Sequence, residues 1–543
     1  METSFLIIFT FLFLQRFGTS RNTMISTSSN VTCIERERLS LLVFKQTLTD
    51  RFNLLSTWTG VEGCEWQGVG CDSRNRHVVK LDLRASTSLK TDANLLQGEL
   101  SPSLQNLKHL LYLDLSMNGF SGNIPEFLGS FEHLKYLNLS CSGLGGVVPH
   151  HLGNLSRLQY LDLRNSFVLD QIHYDNHRTG SRFVKFSKVS IMDGLGWVSS
   201  LSSLRHLDLS GVTIGKHIDW FHPVNMLPSL LTLNLAYSDI DIPSIKFVNF
   251  TSLNSLDLSG NGISSTIPIW LSNLTGLMHL NLYSNDFHGK IPDFLGTFRE
   301  LASIDLSSNS LNASIPDMLC NLSSLVHLQL SRNMFSGPIP ANLGLLSRIE
   351  DLYLYNNQLS GNIPMSLGQL SKLKNLDLSD NSLVGVLSET HFTKLNNLSY
   401  LALKSNPLAL NFSTQWIPPF QLQMFFASSC NIGPHFPNWL QTQTNLQRLD
   451  LSNSSIRDSL PKWFENILSR ISELDLSYNQ ISGKLPRFHG NSSNQILKMN
   501  SNKFDGSLAT FPSNVKYLDL SHNLLSGHIP QTDGTMNPNL GIL

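Results

Sequence analysis

The sequence predicts a curved α/β solenoid, a right-handed superhelix of short repeats with a concave parallel β-sheet and a small helical N-terminal cap. A nine-residue phrase, LxxLxLxxN, recurs through most of the 543 residues. Nine of the seventeen intervals between its copies are 24 residues long. The composition is rich in leucine and only 15% charged. A short fixed period indicates units that stack on their neighbours, and about 18 of them are expected. The first position of each copy falls at residues 78, 110, 134, 158, 204, 230, 253, 277, 301, 325, 349, 373, 398, 422, 446, 471, 494 and 515.

Each copy carries the signature of one short strand. In LxLxx the residues at positions 4 and 6 alternate with those at 3, 5 and 7, which is the periodicity of a β-strand. Leucines at 4 and 6 are expected inside, and the side chains at 3, 5 and 7 are expected on the concave face. Strands about 4.8 Å apart give a parallel sheet of roughly 85 Å along the arc.

Position 9 is asparagine in an unbroken run of seven copies. An asparagine amide offers both a donor and an acceptor, so it can satisfy backbone groups of the coils on either side. We therefore interpret this row as structural rather than as a binding site. In the next copy Cys430 takes the slot, as a small buried side chain can. The run comprises Asn261, Asn285, Asn309, Asn333, Asn357, Asn381 and Asn406.

Composition and motifs exclude several functional classes. A formal net charge of −1 argues against a general polyanion binder and a nucleic-acid partner. A hydrophobic content of 41% is too high for a disordered chain. The sequence holds no HExxH, GxSxG, phosphate-binding glycine loop or CxxC pair. We therefore expect a non-enzyme without a cofactor or a metal.

The N-terminus indicates export. Residues 5–14 read FLIIFTFLFL, which suits the apolar core of a signal peptide at about residues 1–20. A buried N-terminal strand is the alternative. No second apolar run is long enough to cross a bilayer, so no transmembrane segment is expected in this chain. Eleven N-x-[ST] sequons fit the secretory pathway: Asn30, Asn138, Asn154, Asn249, Asn273, Asn312, Asn321, Asn397, Asn411, Asn453 and Asn491.

Four of these sequons share one phase of the repeat, each four residues before a first leucine. If glycosylated, they form one line of glycans off the strand face. The alternative is that the motif only suits the local turn. Asn138 stands at position 5 instead and predicts a glycan on the concave sheet. The four in phase are Asn154, Asn249, Asn273 and Asn321.

The second half of many repeats reads GxIP, as at Pro125, Pro292, Pro340 and Pro364. This form resembles the plant-type leucine-rich repeat, and the resemblance covers residues 77–530, with an irregular insertion at 167–196. The 46-residue gap between the copies at 158 and 204 is expected to hide one irregular repeat as well as this insertion.

Residues 30–76 resemble the N-terminal cap of the same family. Leu39, Leu42, Phe44 and Leu48 are expected to form the inner face of its helix. Family members pair four cysteines here, but Gly63 replaces one of them. The resemblance then implies a disulfide between Cys64 and Cys71, and Cys33 loses its usual partner. Three further cysteines are expected to be buried thiols: Cys141, Cys320 and Cys430.

The concave face is the default binding surface of such a solenoid. Aspartate at position 5 recurs in ten copies, so we interpret it as the default residue of the repeat. Departures from the default are the candidate contacts, and the tyrosines at position 3 of three consecutive copies should stack. Ordinary drift of the repeat is the alternative at each position. The candidates are Tyr112, Tyr136, Tyr160, His279, Tyr283, His327, Gln329, Asp351, Tyr353, Tyr355, Tyr400, Lys404 and Phe426.

The stretches that begin at Trp197, Ile218 and Asn431 are similar to plant receptor-like proteins of the many-repeat defence type. That resemblance implies an extracellular or cell-surface ectodomain at the plasma membrane. It would bind a peptide, protein or glycan and signal through a partner receptor kinase. The family's C-terminal cap and membrane helix are missing after residue 530, where residues 531–543 form a non-repeat tail. A truncated receptor is therefore expected. A secreted inhibitor of pathogen hydrolases and a non-functional receptor remnant are the alternatives.

Overall fold

The computed structural model describes residues 33–85, 95–169, 182–185, 189–191, 194–242, 248–487, 496–507 and 515–528. Eighteen parallel strands, one at each predicted copy, form an open concave sheet, and the antiparallel strand Val69–Cys71 precedes them. The eighteen are Val78–Asp82, Tyr112–Asp114, Tyr136–Asn138, Tyr160–Asp162, His206–Asp208, Thr232–Asn234, Ser255–Asp257, His279–Asn281, Ser303–Asp305, His327–Gln329, Asp351–Tyr353, Asn375–Asp377, Tyr400–Ala402, Met424–Phe426, Arg448–Asp450, Glu473–Asp475, Ile496–Lys498 and Tyr517–Asp519.

The repeat phrase sets the register of this sheet. Leu113, Leu137 and Leu161 pair directly with one another across neighbouring strands, and none is exposed. The same residues therefore belong both to the backbone ladder and to one elongated apolar interior. The prediction of a leucine-filled solenoid with about 18 repeats is confirmed.

The gap between the copies at 158 and 204 does not contain another coil of the concave sheet. Tyr160–Asp162 pairs in register with His206–Asp208, so the expectation of an extra irregular repeat is wrong. The intervening chain leaves the solenoid after its strand, and Ser166–Leu169 pairs antiparallel with Arg182–Lys185. The rest of the insertion lies largely outside the described residues.

Short strands and turns complete each coil on the lateral and convex sides. The α-helices of the described part are Glu35–Gln46, Phe221–Val224 and Phe464–Leu468. The lateral strands are Leu48–Thr49, Gln97–Glu99, Gly119–Ser121, Gly146–Val147, Val189–Ser190, His288–Gly289, Ser310–Leu311, Ser336–Gly337, Gln358–Asn362, Ser382–Leu387, Leu408–Leu410, Ser482–Lys484, Lys503–Gly506 and Leu524–Leu525. The 3₁₀ turns are Gly63–Glu65, Pro102–Asn106, Glu126–Ser130, His150–Asn154, Gly196–Ser200, Ile269–Asn273, Asp293–Thr297, Asp317–Asn321, Ala341–Leu345, Met365–Gln369, Glu389–Phe392 and Asn438–Thr442.

The asparagine row is structural, as predicted. The Nδ2 of Asn333 donates to the carbonyls of Leu306 and Leu330 at 2.9 and 3.2 Å. Its Oδ1 accepts the amide of Leu311 at 3.0 Å. One side chain therefore satisfies backbone groups of two coils. In the Cys430 slot, the thiol lies 3.3 Å from the carbonyl of Leu403 and replaces only one of these bonds.

The helix Glu35–Gln46 covers the first coil. Phe44 is buried as expected, but Leu39 is 48% exposed and Leu41 takes the inner position, so that part of the predicted helix face is wrong. A buried carboxylate ties the helix to the sheet. Glu37 accepts the amide of Val78 at 2.7 Å and contacts the Nδ1 of His77 at 2.8 Å.

Cys64 and Cys71 form the expected disulfide, with their Cα atoms 5.5 Å apart. Cys33 is a buried free thiol beside them, and the sulfur atoms of the three cysteines lie within 4.8 Å of one another. The three repeat cysteines, Cys141, Cys320 and Cys430, are buried thiols as predicted, and burial raises the pKa of each.

Within the described ranges, no helix combines the length and the apolar character that crossing a bilayer requires.

Candidate functional site: the concave face

The carboxylates of the recurring aspartates on the concave face accept hydrogen bonds from nearby residues of the same coil. Asp208 accepts the amide and the hydroxyl of Ser210 at 2.9 and 2.7 Å. Asp450 binds Ser452 in the same way. Where a serine follows two residues after the aspartate, the pair caps the end of the strand by local hydrogen bonds. This geometry supports reading position 5 as the repeat's default rather than as a specific acidic site.

The three tyrosines at position 3 stack as the sequence predicts. The ring centroids of Tyr112 and Tyr136 are 4.2 Å apart, and those of Tyr136 and Tyr160 are 4.3 Å apart. His206 extends the stack from the next coil at 4.1 Å. The ammonium of Lys80 closes the other end, 4.9 Å from the ring of Tyr112. We call these five side chains the aromatic ladder.

The aromatic ladder offers a ligand little more than ring edges, because each internal face is covered by the next ring. The tyrosine hydroxyls are also engaged. Those of Tyr112 and Tyr136 donate to one oxygen of Asp114 at 3.2 and 3.3 Å. Burial raises the pKa of both tyrosines, so they stay neutral donors. The stack is therefore a rigid wall of the concave face.

The contact of His206 with Tyr160 was not predicted, since an extra irregular repeat was expected between their strands. His206 lies beside a charged group in which Arg164 contacts Asp162 at 3.2 Å and Asp208 at 4.0 Å. Burial raises the pKa of Asp162, which Arg164 opposes, and lowers that of His206 to about 4. Donor atoms of Asp162, His206 and Asp208 come within 4.8 Å of one another. Arg164 already supplies the countercharge that a cation would bring.

The default pattern breaks down in the centre of the sheet. Here His327, Gln329, Tyr353, Tyr355, Tyr400, Lys404 and Phe426 stand at positions 3, 5 or 7 of nearby coils. All seven are partly exposed. We call them the central concave patch. His279 and Tyr283 stand at positions 3 and 7 two coils before it, and both are partly exposed.

The contact between His327 and the buried Asp351 fixes one side of the central concave patch. The Nδ1 of His327 lies 2.5 Å from Oδ2 of Asp351. The other carboxylate oxygen, Oδ1, accepts a hydrogen bond from the side-chain Nδ2 of Asn375 at 2.5 Å. Burial opposes the charge on Asp351, but the two hydrogen bonds prevail and lower its pKa. Asp351 is only 6% exposed. Its burial disfavours a direct ligand contact, and its contact with His327 suits a residue that orients that ring.

Aromatic and cationic groups make up the other side of the patch. The hydroxyl of Tyr400 donates to Asp377 at 3.0 Å, and its ring meets that of Phe426 edge-on at 5.8 Å. The guanidinium of Arg332 lies 5.8 Å from the centre of the Tyr355 ring. Burial raises the pKa of Tyr353. The sequence missed Arg332 because it stands at position 8, outside the three concave positions that we considered.

The sequon positions divide by exposure. Asn154, Asn273 and Asn321 each end a convex 3₁₀ turn, off the strand face as predicted. Asn138 is 8% exposed, and its Oδ1 accepts both the amide and the hydroxyl of Ser140. This burial disfavours the predicted concave glycan, because the glycan would have to be attached to a buried side-chain amide. Asn30 and Asn491 lie outside the described residues.

Comparison with known families gives consistent matches along the chain. A family profile described as a leucine-rich repeat region matches residues 246–458. One described as a leucine-rich repeat N-terminal domain matches residues 34–72. Single leucine-rich repeats match 109–131, 133–155, 470–492 and 514–536.

Curated relatives point the same way. The chain is 32% identical to receptor-like protein EIX1 of Solanum lycopersicum over 89% of its own length and 56% of that protein. It is 38% identical to receptor-like protein EIX2 of the same species over 24% of its length and 13% of that protein. The chain thus spans about half the length of the first relative, and only a small part of the second is matched.

Solved structures share the architecture. A crystal structure of PEPR1-AtPEP1 matches with a TM-score of 0.61 at 24% identity, over 91% of this chain and 76% of that one. A TDR receptor matches with a TM-score of 0.60, also at 24% identity, over 83% and 81% of the two chains. At this identity the likeness shows the fold alone. The matched regions are leucine-rich repeats and the N-terminal domain that precedes them. The chain belongs to the leucine-rich repeat family, and its cap and repeats are those of a plant receptor-like protein ectodomain.

Proposed function

We propose that the chain is an extracellular recognition ectodomain whose central concave patch binds a peptide, and that signalling passes through a partner receptor kinase. One observation carries the proposal. The patch is where the concave face departs from its self-satisfied Asp-x-Ser pattern and presents partly exposed aromatic and cationic side chains. Such side chains dominate the energetics of protein recognition.

The geometry favours an extended peptide over a bulky ligand. The patch spans neighbouring strands from His327–Gln329 to Met424–Phe426, so a strand-like chain laid across the coils meets one new row of side chains at every step. Tyr355 and Lys404 stand at position 7 in coils that lie on either side of the Asn375–Asp377 strand. They suit a ligand with an acidic or amide group beside an apolar one.

A solved structure of similar fold supports the choice of a peptide as the ligand. The solved structures of similar fold include an RGFR1 receptor in complex with the peptide RGF2, with a TM-score of 0.59. A role in defence is proposed on the resemblance to the receptor-like proteins alone. Export through a signal peptide and glycosylation at the exposed sequons are parts of the same proposal.

The experiment is a binding selection with the purified full chain against a displayed library of secreted peptides. Peptides that bind the native chain should lose at least about tenfold in affinity for the Tyr353→Ala, Tyr355→Ala double variant. A matched control is Tyr517→Ala, which alters a partly exposed concave tyrosine far from the patch. Equal loss in the control, or no loss in the double variant, contradicts the proposal.

The inhibitor alternative has a separate readout. Added to secreted fungal polysaccharide hydrolases, the chain should leave their activity unchanged. A stoichiometric loss of hydrolase activity would favour an inhibitor over a receptor ectodomain.

A further inference from the structure

Cations line one edge of the solenoid in four consecutive coils near the N-terminus. They occupy the turn that leads into each strand, or the start of that strand, and therefore lie beside the concave face rather than on it. We call the set the edge stripe: Lys108, His109, His133, Lys135, Arg157 and Arg205.

The members of the edge stripe are in contact or in register. The rings of His109 and His133 stack with centroids 6.1 Å apart, and Arg157 lies 3.1 Å from the Nδ1 of His133. The backbone carbonyl of Lys135 accepts the amide of Gln159 at 2.8 Å, and the carbonyl of Gln159 accepts that of Arg205 at 2.9 Å. The charges thus follow the coils in a line.

These cations lack acidic partners. Across the ranges that the structure describes, no carboxylate lies within 4.0 Å of Lys108, Lys135, Arg157 or Arg205. Later on the same edge a lysine is neutralised, since Lys374 meets Glu350 at 2.7 Å.

Few other charges face the stripe. Glu132 is exposed beside His133. Glu37 of the cap helix already contacts His77 and accepts the backbone amide of Val78. His77 itself stacks on His109, with ring centroids 3.7 Å apart. The stripe therefore keeps an excess of positive charge, although the whole chain is nearly neutral.

We propose that the edge stripe binds a linear polyuronate, a polysaccharide with one carboxylate on each sugar ring. Neighbouring coils lie about 4.8 Å apart, so basic side chains recur along the edge and can meet the regularly repeated carboxylates of such a chain. The arginine fork and the imidazolium both pair well with carboxylates. The six basic side chains therefore form a surface that suits a chain of repeated carboxylates.

Titration calorimetry of the purified full chain with polygalacturonate tests the proposal. The triple variant Lys135→Gln, Arg157→Gln, Arg205→Gln should bind roughly fiftyfold more weakly, since each charge about 5 Å from a carboxylate in water contributes about fourfold. The control is Arg348→Gln, Lys372→Gln, which removes two exposed cations from the repeat position of Arg157 in later coils. Its binding should equal that of the native chain.

Two further arms sharpen the result. Native binding should weaken as salt is raised. Absence of binding, equal loss in the control variant, or tighter binding of polyglutamate than of polygalacturonate would each overturn the proposal. The last outcome would assign the stripe to an acidic peptide.

Discussion

His206 lies flat on Tyr160, with ring centroids 4.1 Å apart and planes within 3° of parallel, although 46 residues of sequence separate them. Direct pairing of their strands brings the two rings together, and the insertion loops out. The contact joins the first four coils to the rest of the solenoid through one continuous stack.

Stability should depend on His206 in acid. Burial lowers its pKa to about 4, so the unfolded chain binds the proton more readily between pH 6.5 and pH 4. The histidine's contribution is present above pH 6.5 and is lost as the pH falls through that window. Relative to His206→Phe, which keeps a ring in the stack, the native chain should lose about 2–3 kcal/mol between pH 7 and pH 4. Urea denaturation at both pH values checks this, and a pH-independent difference would contradict it.

Asp257 should act in the opposite direction. Burial raises its pKa to about 6, so the folded chain holds the proton more tightly than the unfolded chain. Its contribution is most favourable near pH 4 and declines as the pH rises through 6. Compared with Asp257→Asn, the native chain should lose about 2–3 kcal/mol from pH 4 to pH 7.5. The same denaturation series measures it, with the exposed Asp286→Asn as control. If the native chain instead gained stability relative to Asp257→Asn from pH 4 to pH 7.5, the prediction would be wrong.

A cysteine at position 63 should form a disulfide with Cys33. A Cβ at Gly63 would lie 3.5 Å from the Cβ of Cys33, within the range found in disulfides. Gly63→Cys should therefore close a second bridge beside Cys64–Cys71 and stabilise the cap by about 3 kcal/mol. Peptide mapping without reduction identifies the bond, and Gly63→Ser controls for the added side chain. A free thiol at both positions in the exported protein would refute the geometry.

The asparagine row should tolerate cysteine better than alanine. Asn333→Ala leaves the amide of Leu311 without its partner and removes one of the two donors to the carbonyl of Leu306, which Asn309 still reaches at 3.1 Å, so it should cost about 1–3 kcal/mol. Asn333→Cys should cost less, because the native chain already uses Cys430 in this slot. Thermal unfolding ranks the two variants, with the exposed Asn362→Ala as control. Equal losses for alanine and cysteine would argue against the thiol as a substitute.

Sequence periodicity predicted most of the fold, because one phrase specifies both the strand and the buried leucines. It also predicted the stacked tyrosines, since equal positions in successive coils must lie side by side. Periodicity failed where the burial of a side chain depends on residues of a neighbouring coil. Asn138 and Asp351 occupy outward positions, yet both are buried, because adjacent side chains close over them and hydrogen-bond to them.

Other features could not be predicted for different reasons. The stacking of His206 on Tyr160 was missed because the 46-residue interval was expected to hold another repeat. The inner face of the cap helix was only half right, since a helix packed on the end of a solenoid carries a weak apolar stripe. The edge stripe escaped notice because its members lie outside the strand positions that the repeat phrase highlights.

The most direct test of the central claim is a crystal structure of the full chain with a peptide selected by binding. We expect the peptide to lie across the coils of the central concave patch, in contact with Tyr353, Tyr355 and Phe426. It should leave the faces of the aromatic ladder covered. A peptide seated on the convex turns, or one that pries the ladder apart, would contradict the claim.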